Sequence, residues 1–235
     1  MLDYLHLLKS QHKTPSDSFF KHTVYGLRYA YRVSGMKEMR VVLPSIERPK
    51  KLPVVLNQRE IKQLLKTPTL LKHRLVLAML YGCGLRSFEV RNLQRRDLDF
   101  DRNMLHVRQG KGRKDRYVPL SGMHIRGLKK YFLAENPVTW CFNGNDPEGN
   151  PVPLSSRGIQ WVVREARKRS GIQKEITAHI LRHSYATHLL EMGLDIMSVK
   201  DLLGHADIQT TLIYLHVAQS GRQKPFSPLD RLYGQ

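Results

Sequence analysis

The 235-residue chain is 41% hydrophobic, enough for one large domain with a small appendage, and carries 39 Lys+Arg against 20 Asp+Glu, a formal net charge of +19. Such an excess repels itself unless a polyanion neutralises it, which makes a nucleic acid the leading partner and an anionic membrane surface the weaker one. No apolar run reaches the roughly 18 residues of a spanning helix, Met1 to Ser10 has no signal core, and Cys83 and Cys141 are too few for a disulfide framework or a zinc knuckle. The expectation is a soluble, intracellular protein with packed, reduced thiols.

In chain order, Met1 to Arg48 reads as a small helical piece. Ser16 or Asp17 caps a helix with Phe20, Val24, Leu27 and Tyr31 on one face, and Gly35 ends it. Its other face carries Lys21, Arg28 and Arg32, as a solvated face or a contact to a DNA backbone. Pro44 to Pro53, with three prolines, is a linker. Asn57 with Glu60 opens the next helix as a capping box, and Thr67-Pro68 closes it. Leu70 to Tyr81 is apolar almost all round and belongs at the centre of the core. After Gly82-Cys-Gly84, Arg86 stands at a glycine-flanked helix start, where amide groups and the dipole favour an anion.

Leu98 to Phe100, Met104 to Arg108 and Arg116 to Leu120 form a three-stranded antiparallel meander, its last turn bearing Lys111, Arg113 and Lys114. Glycines on both sides of Lys111 permit a tight turn and close approach to a ligand. Ser121 to Ala134 is helical, and Asn136 to Pro153 reads as a loop or short excursion. Ser155 or Ser156 starts a helix with Ile159, Val162, Val163 and Ala166 inward and Arg157, Arg164 and Lys168 outward, a basic face able to follow phosphates. From Thr177 a further amphipathic helix puts His179 and Arg182 on one face. Ile196 to Leu203, capped by Asp195 and stopped by Gly204, leaves His205 just past a helix end.

Five stretches then carry a resemblance: GLRSFEV (Gly84 to Val90), GKGRKDRYVPL (Gly110 to Leu120), HILRHSYATHLL (His179 to Leu190), LLGHADIQTT (Leu202 to Thr211) and the Tyr214 that follows. In that order and spacing the chain resembles a tyrosine recombinase of the phage-integrase and Xer type from about Pro49 to Val217. The resemblance implies a mainly α fold with a small three-stranded sheet (α+β). It implies an arginine clamp of Arg86 and Arg182, a hairpin lysine Lys111, two histidines His179 and His205, and the nucleophile Tyr214. Lys114, Arg113, Arg116, Arg157, Arg164 and Lys168 are the expected DNA contacts. The partner is a double-stranded recombination site, held by a homotetramer on two duplexes, with a monomer possible without DNA and no membrane. The setting is the bacterial or phage-type cytoplasm, near the nucleoid.

The domain division read from the chain is a short N-terminal segment 1–48, a catalytic domain 49–219 and a tail 220–235. Relatives carry a full helical DNA clamp before the catalytic domain, of which 1–48 has room for only a helix or two. Weaker DNA affinity with a shallow salt dependence is therefore expected.

The residues make chemical sense as a set. Two guanidiniums can hold and neutralise the non-bridging oxygens of a pentavalent phosphorus, in place of metal ions. Lys111 can protonate the departing 5′ oxygen, His179 can take the proton of Tyr214, and His205 can donate to a non-bridging oxygen. A phosphotyrosine bond conserves the energy of the cut linkage, so neither a nucleotide cofactor nor a metal is expected. Competing readings are a helix-turn-helix regulator built on Val199 to Leu215, which has no use for Arg86 and Lys111, and a type IB topoisomerase, which shares the catalytic set. The pair His179 and His183 has a zinc-compatible HxxxH spacing, but Ile180 stands where a metalloprotease has Glu, and His183 and His188 are read as packing or supporting groups.

Overall fold

The computed structural model of the chain describes residues 17–36, 38, 53–108 and 115–218. The chain divides into two compact units, Met1–Lys50 and Lys51–Gln235. Most of the expected linker and the tail 220–235 lie outside the described residues. In the first unit α1 (Asp17–Val33) buries Val24 and leaves Tyr25 and Tyr29 exposed. Gly35, at φ 75°, closes it: the amides of Gly35 and Met36 donate back to the carbonyls of Arg32 and Tyr31.

The second unit is mostly helical, with two small antiparallel sheets. α2 (Gln58–Lys66) starts at the expected capping box, where the Asn57 side chain accepts from the Glu60 amide and Glu60 accepts from the Asn57 amide, each at 2.8 Å. α3 (Leu71–Gly82) buries Leu75, Val76, Leu77, Met79 and Leu80 and lies at the centre of the core. Burial of a side chain of this size stabilises by about 2 kcal/mol, so the helix anchors what packs on it. α4 (Ser87–Arg91) follows, then a 3₁₀ turn (Arg95–Asp97) and the sheet β1 (Leu98–Asp99), β2 (Met104–Val107), β3 (Arg116–Pro119). Leu105 faces both Leu98 and Val118 across the ladder, and the strand order is β1-β2-β3.

α5 (Gly122–Glu135), capped by Ser121, packs on α3 through a close approach: a Cβ at Gly82 would stand 2.4 Å from the His124 ring. The stretch expected as a loop or short excursion contains a hairpin, β4 (Asn143–Asn145) with β5 (Pro151–Pro153). Its strands are three residues long, β5 begins and ends on proline, and the turn between them is tied by the Asp146 carboxylate accepting from the amide and side chain of Asn150. Hydrophobic alternation is too short there to signal a strand.

α6 (Ser156–Ser170) buries Ile159, Val162, Val163 and Ala166 as expected, and ends at Gly171. For α7 (Ala178–Glu191) the pattern predicts one buried stripe; it is buried almost all round because it divides two apolar clusters. Leu181 belongs to the main core, whereas Tyr185, Ala186 and Leu190 join Val199, Leu203 and Tyr214 in a second cluster. α8 (Ile196–Leu203) is capped by Asp195, which accepts from the amides of Met197 and Ser198, and Gly204 ends it at φ 63°. A short α9 (Gln209–Leu212) runs directly into a 3₁₀ turn (Ile213–His216).

Candidate active site

Three arginines converge on the C-terminal end of α8. The last carbonyls of a helix have no partner within it and carry the negative end of its dipole. Here Arg116 Nε donates to Leu202 O at 2.8 Å, Arg182 Nη2 to Leu203 O, and Arg86 Nη2 to Gly204 O at 3.4 Å. Each of three successive carbonyls thus takes a guanidinium from a different element: β3, α7 and the start of α4. The next residue is His205, so the same contacts set where that imidazole stands.

One carboxylate balances these cations among the described residues. Glu89 occupies the third position of α4, accepts from the Arg86 amide and Nη1, and binds Arg116 through two bonds of 2.8 Å. Burial alone would raise its proton affinity, but the Arg116 hydrogen bonds and the charges of Arg116 and Arg86 overcome that and hold its pKa at about 2. Arg182 approaches the same carboxylate at 4.0 Å and donates to Gly84 O at 2.6 Å. Its side chain is 1% exposed, and its Nε has no acceptor among the described residues. Burial and the neighbouring Arg86 lower its pKa to about 10. The glycine at 84 is required: φ is 59°, and a Cβ there would meet the Tyr185 ring at 2.4 Å.

The histidines surround the arginines. His205 Nδ1 bonds Thr211 Oγ1 at 2.9 Å, and burial together with Arg182, Arg86 and Arg116 pushes its pKa down to about 3. His179 stands at the start of α7 with one side open to solvent, and partial burial of the other side of its ring, with Arg182 and Arg86 nearby, also lowers its pKa. Both residues therefore present neutral imidazoles to a site that is rich in fixed positive charge. Tyr214 is 1% exposed, in the second cluster, with its ring nearly parallel to His205 at 6.4 Å between centroids.

The histidine at hydrogen-bond distance from the phenol is His183, with Nδ1 2.8 Å from Tyr214 Oη. No such bond joins His179 to Tyr214 among the described residues; the His179 ring instead meets that of His183 edge-on at 4.2 Å. His188, also expected to be a supporting group, bonds Tyr81 Oη at 2.9 Å, away from the phenol. Among the described residues no group of three or more His, Cys, Asp or Glu is gathered to hold a metal.

Of the remaining expected residues, Lys111, Arg113 and Lys114 lie outside the described residues. Arg116, expected on the DNA face, is instead 9% exposed and held by Glu89 and Leu202 O, beneath the site. The pattern contains the signal: strand alternation gives Arg116 the face of the buried Val118 and turns Tyr117 outward. Glu89 is not singled out by the sequence motifs, although a glutamate three residues after the residue that opens a helix is a capping-box position. Arg157, Arg164 and Lys168 are exposed on α6. A groove of about 490 Å³, lined by Ser87, Gln160, Arg164, Arg167, Thr177 and His179, joins that basic helix to the site.

In this mainly helical unit paired arginines, histidines and a buried tyrosine close on one helix end, a cationic site fit to hold a phosphate-like anion. The family model described as phage integrase family matches residues 54–220, and the chain belongs to that family. It is 36% identical over 213 residues to the tyrosine recombinase XerA of Thermococcus onnurineus, covering 90% of this chain and 75% of that one. A tyrosine recombinase of Thermosipho africanus is 36% identical over 227 residues, covering 95% and 75%. Among solved structures, a XerA recombinase superposes with a TM-score of 0.64 at 27% identity, covering 97% of this chain and 78% of that one. A XerH recombinase bound to its difH substrate before cleavage shares the fold, with a TM-score of 0.68 at 24% identity, covering 86% and 62%. The chain is therefore an enzyme of the tyrosine recombinase class, and the reading as a non-catalytic regulator falls.

Proposed function

We propose that this enzyme cuts and rejoins DNA strands at a specific site through a 3′-phosphotyrosine formed on Tyr214, with neither metal nor nucleotide cofactor. The observation that carries the reading is the convergence of Arg86, Arg182, His205 and Tyr214, from four separate elements, around the end of α8. Among the described residues the site holds three guanidiniums against one carboxylate, and its imidazoles are kept neutral, so it is short of negative charge. A scissile phosphate supplies that charge.

Arg86 and Arg182 are read as the clamp on the non-bridging oxygens, where charge develops as phosphorus becomes pentavalent. His205 donates to one of those oxygens. His179, exposed at the groove, contacts the same phosphate, and Lys111, which lies between β2 and β3 in the sequence, protonates the departing 5′ oxygen. Arg157, Arg164 and Lys168 follow the DNA backbone along α6, with Arg113 and Lys114 beside the hairpin lysine. Arg116 is reassigned from DNA contact to support of Glu89. Residues 49–219 form the catalytic domain, 1–48 a helical DNA-holding segment, and 220–235 a tail, with four protomers acting on two duplexes.

The test is covalent capture. A library of singly nicked suicide duplexes of randomised sequence is incubated with the protein, and members linked to it are recovered from a denaturing gel. The wild type forms adducts with a selected subset, whereas Tyr214→Phe forms none. Adducts with Tyr214→Phe, or none with the wild type, would remove the proposal.

A further inference from the structure

Resting on the reading of Tyr214 as nucleophile, we propose that His183, and not His179, is the base that takes the phenol proton as Tyr214 attacks phosphorus. The geometry is direct: His183 Nδ1 lies 2.8 Å from Tyr214 Oη, and the two rings pack at 5.4 Å between centroids. Both groups are held from outside the contact. His183 follows the buried Arg182 on α7, and Tyr214 is anchored in the apolar cluster formed with Tyr185, Val199 and Leu203.

The charged and titratable groups around His183 are His179 and Arg182 on its own helix and Tyr214 on the 3₁₀ turn. Next to Arg182 stand Arg86 and Glu89 of the α4 start and Arg116 of β3, and His205 follows α8. Burial, then His179 and Arg182, bring the His183 pKa down to about 4, so the ring is neutral throughout the neutral pH range. A neutral ring that accepts at Nδ1 carries its proton on Nε2. Burial raises the Tyr214 phenol, so the proton rests on oxygen before attack. The gap closes during reaction. As Oη bonds to phosphorus the oxygen loses basicity, while the arriving phosphate charge raises the proton affinity of the imidazole beside it.

The step balances. The proton passes from Oη to Nδ1, the Oη–P bond forms, the P–O5′ bond breaks, and its electron pair leaves on O5′, which takes a proton from the general acid. Resealing runs the sequence backwards, with His183 returning the proton to the phenol. Tyr214 is 1% exposed, so attack on phosphorus requires the cover over the phenol to open while the bond to His183 persists.

The experiment measures single-turnover cleavage of a duplex selected with the wild-type protein, from about pH 6 to pH 9, for wild type, His183→Ala and His183→Asn. Proton acceptance by a side chain is worth about 10²-fold or more, so both variants should cut at least that much more slowly at neutral pH while binding the duplex as the wild type does. Wild-type rates should be flat over this range. Those of His183→Ala should rise about tenfold per pH unit, because hydroxide must then take the proton, and added imidazole should restore much of the loss. Asparagine can accept the phenol's hydrogen bond but not its proton, so a merely positioning role predicts that His183→Asn recovers the wild-type rate. Replacing the bridging 5′ oxygen with sulfur removes the need for an acid, and should rescue Lys111→Ala but not His183→Ala. Rates within about threefold of wild type, faster cleavage, recovery by asparagine or rescue by sulfur would each overturn the assignment. A covalent adduct with Tyr214→Phe would instead strike the nucleophile reading and is scored separately.

Discussion

Glu89→Gln removes the carboxylate that stands among the site's guanidiniums and keeps its shape. The carboxyl is held at about 2 against an ordinary value of 4.5. At about 1.4 kcal/mol per tenfold change in proton affinity, that depression corresponds to roughly 3 kcal/mol of stability at neutral pH. The figure agrees in size with the roughly 3–5 kcal/mol typical of breaking a buried ion pair from one side. The sign follows from the depressed pKa: the contribution is complete above about pH 4.5 and is lost as pH falls from there through 2. Urea unfolding of both proteins should show the variant less stable by about 3 kcal/mol at pH 7. The gap should narrow on approaching pH 2, as the wild type loses the same charge, and groups common to both proteins cancel in the difference. A gap that does not change with pH, or none at pH 7, would mean that Glu89 is not the counter-ion of Arg116 and Arg86.

Gly204→Ala forces a left-handed residue to carry a Cβ 3.1 Å from the pinned Arg116 side chain; it should cost about 1–2 kcal/mol in thermal unfolding and slow cleavage, since the carbonyls that hold the arginines shift with it. Ser184→Ala strips the acceptor from the buried Leu56 amide, 2.9 Å from Ser184 Oγ, and should cost about 1–3 kcal/mol with faster hydrogen exchange at Leu56. Replacing Arg157, Arg164 or Lys168 by alanine should reduce the slope of log affinity against log salt by about 0.9 for each phosphate no longer neutralised, with no effect on sequence preference. Cys83 and Cys141 are fully buried, burial pushing the Cys83 thiol up to about 12 and raising that of Cys141; neither should react with iodoacetamide until the protein unfolds.

Local signals carry far in this chain where the physics is local. The Asn57/Glu60 capping box, the Asp195 cap, the glycine stop at Gly204 and the apolar run Leu75–Tyr81 of α3 are each decided within a few residues, and the structure reproduces them. The three-stranded meander is read from turn chemistry and alternation, with boundaries off by a residue at most. Long-range geometry is harder to read. His179 and His183 are four apart on one helix face, and periodicity cannot tell which meets a tyrosine whose approach is set by α8 and α9, 31 residues along the chain from His183. The inward turn of Arg116 is readable from the strand period, but its positive charge suggests a ligand outside rather than a carboxylate within. The near-complete burial of α7 arises because a second cluster packs on its far side, which no pattern within the helix reveals.

The central claim is that one phenol carries the cut strand. Nuclease digestion of the trapped adduct followed by peptide mass spectrometry reads this directly. A nucleotide remnant on the peptide containing Tyr214, attached through its 3′ phosphate, is the result this account predicts. A remnant on Tyr185 or any other side chain, or a 5′ linkage, would contradict it.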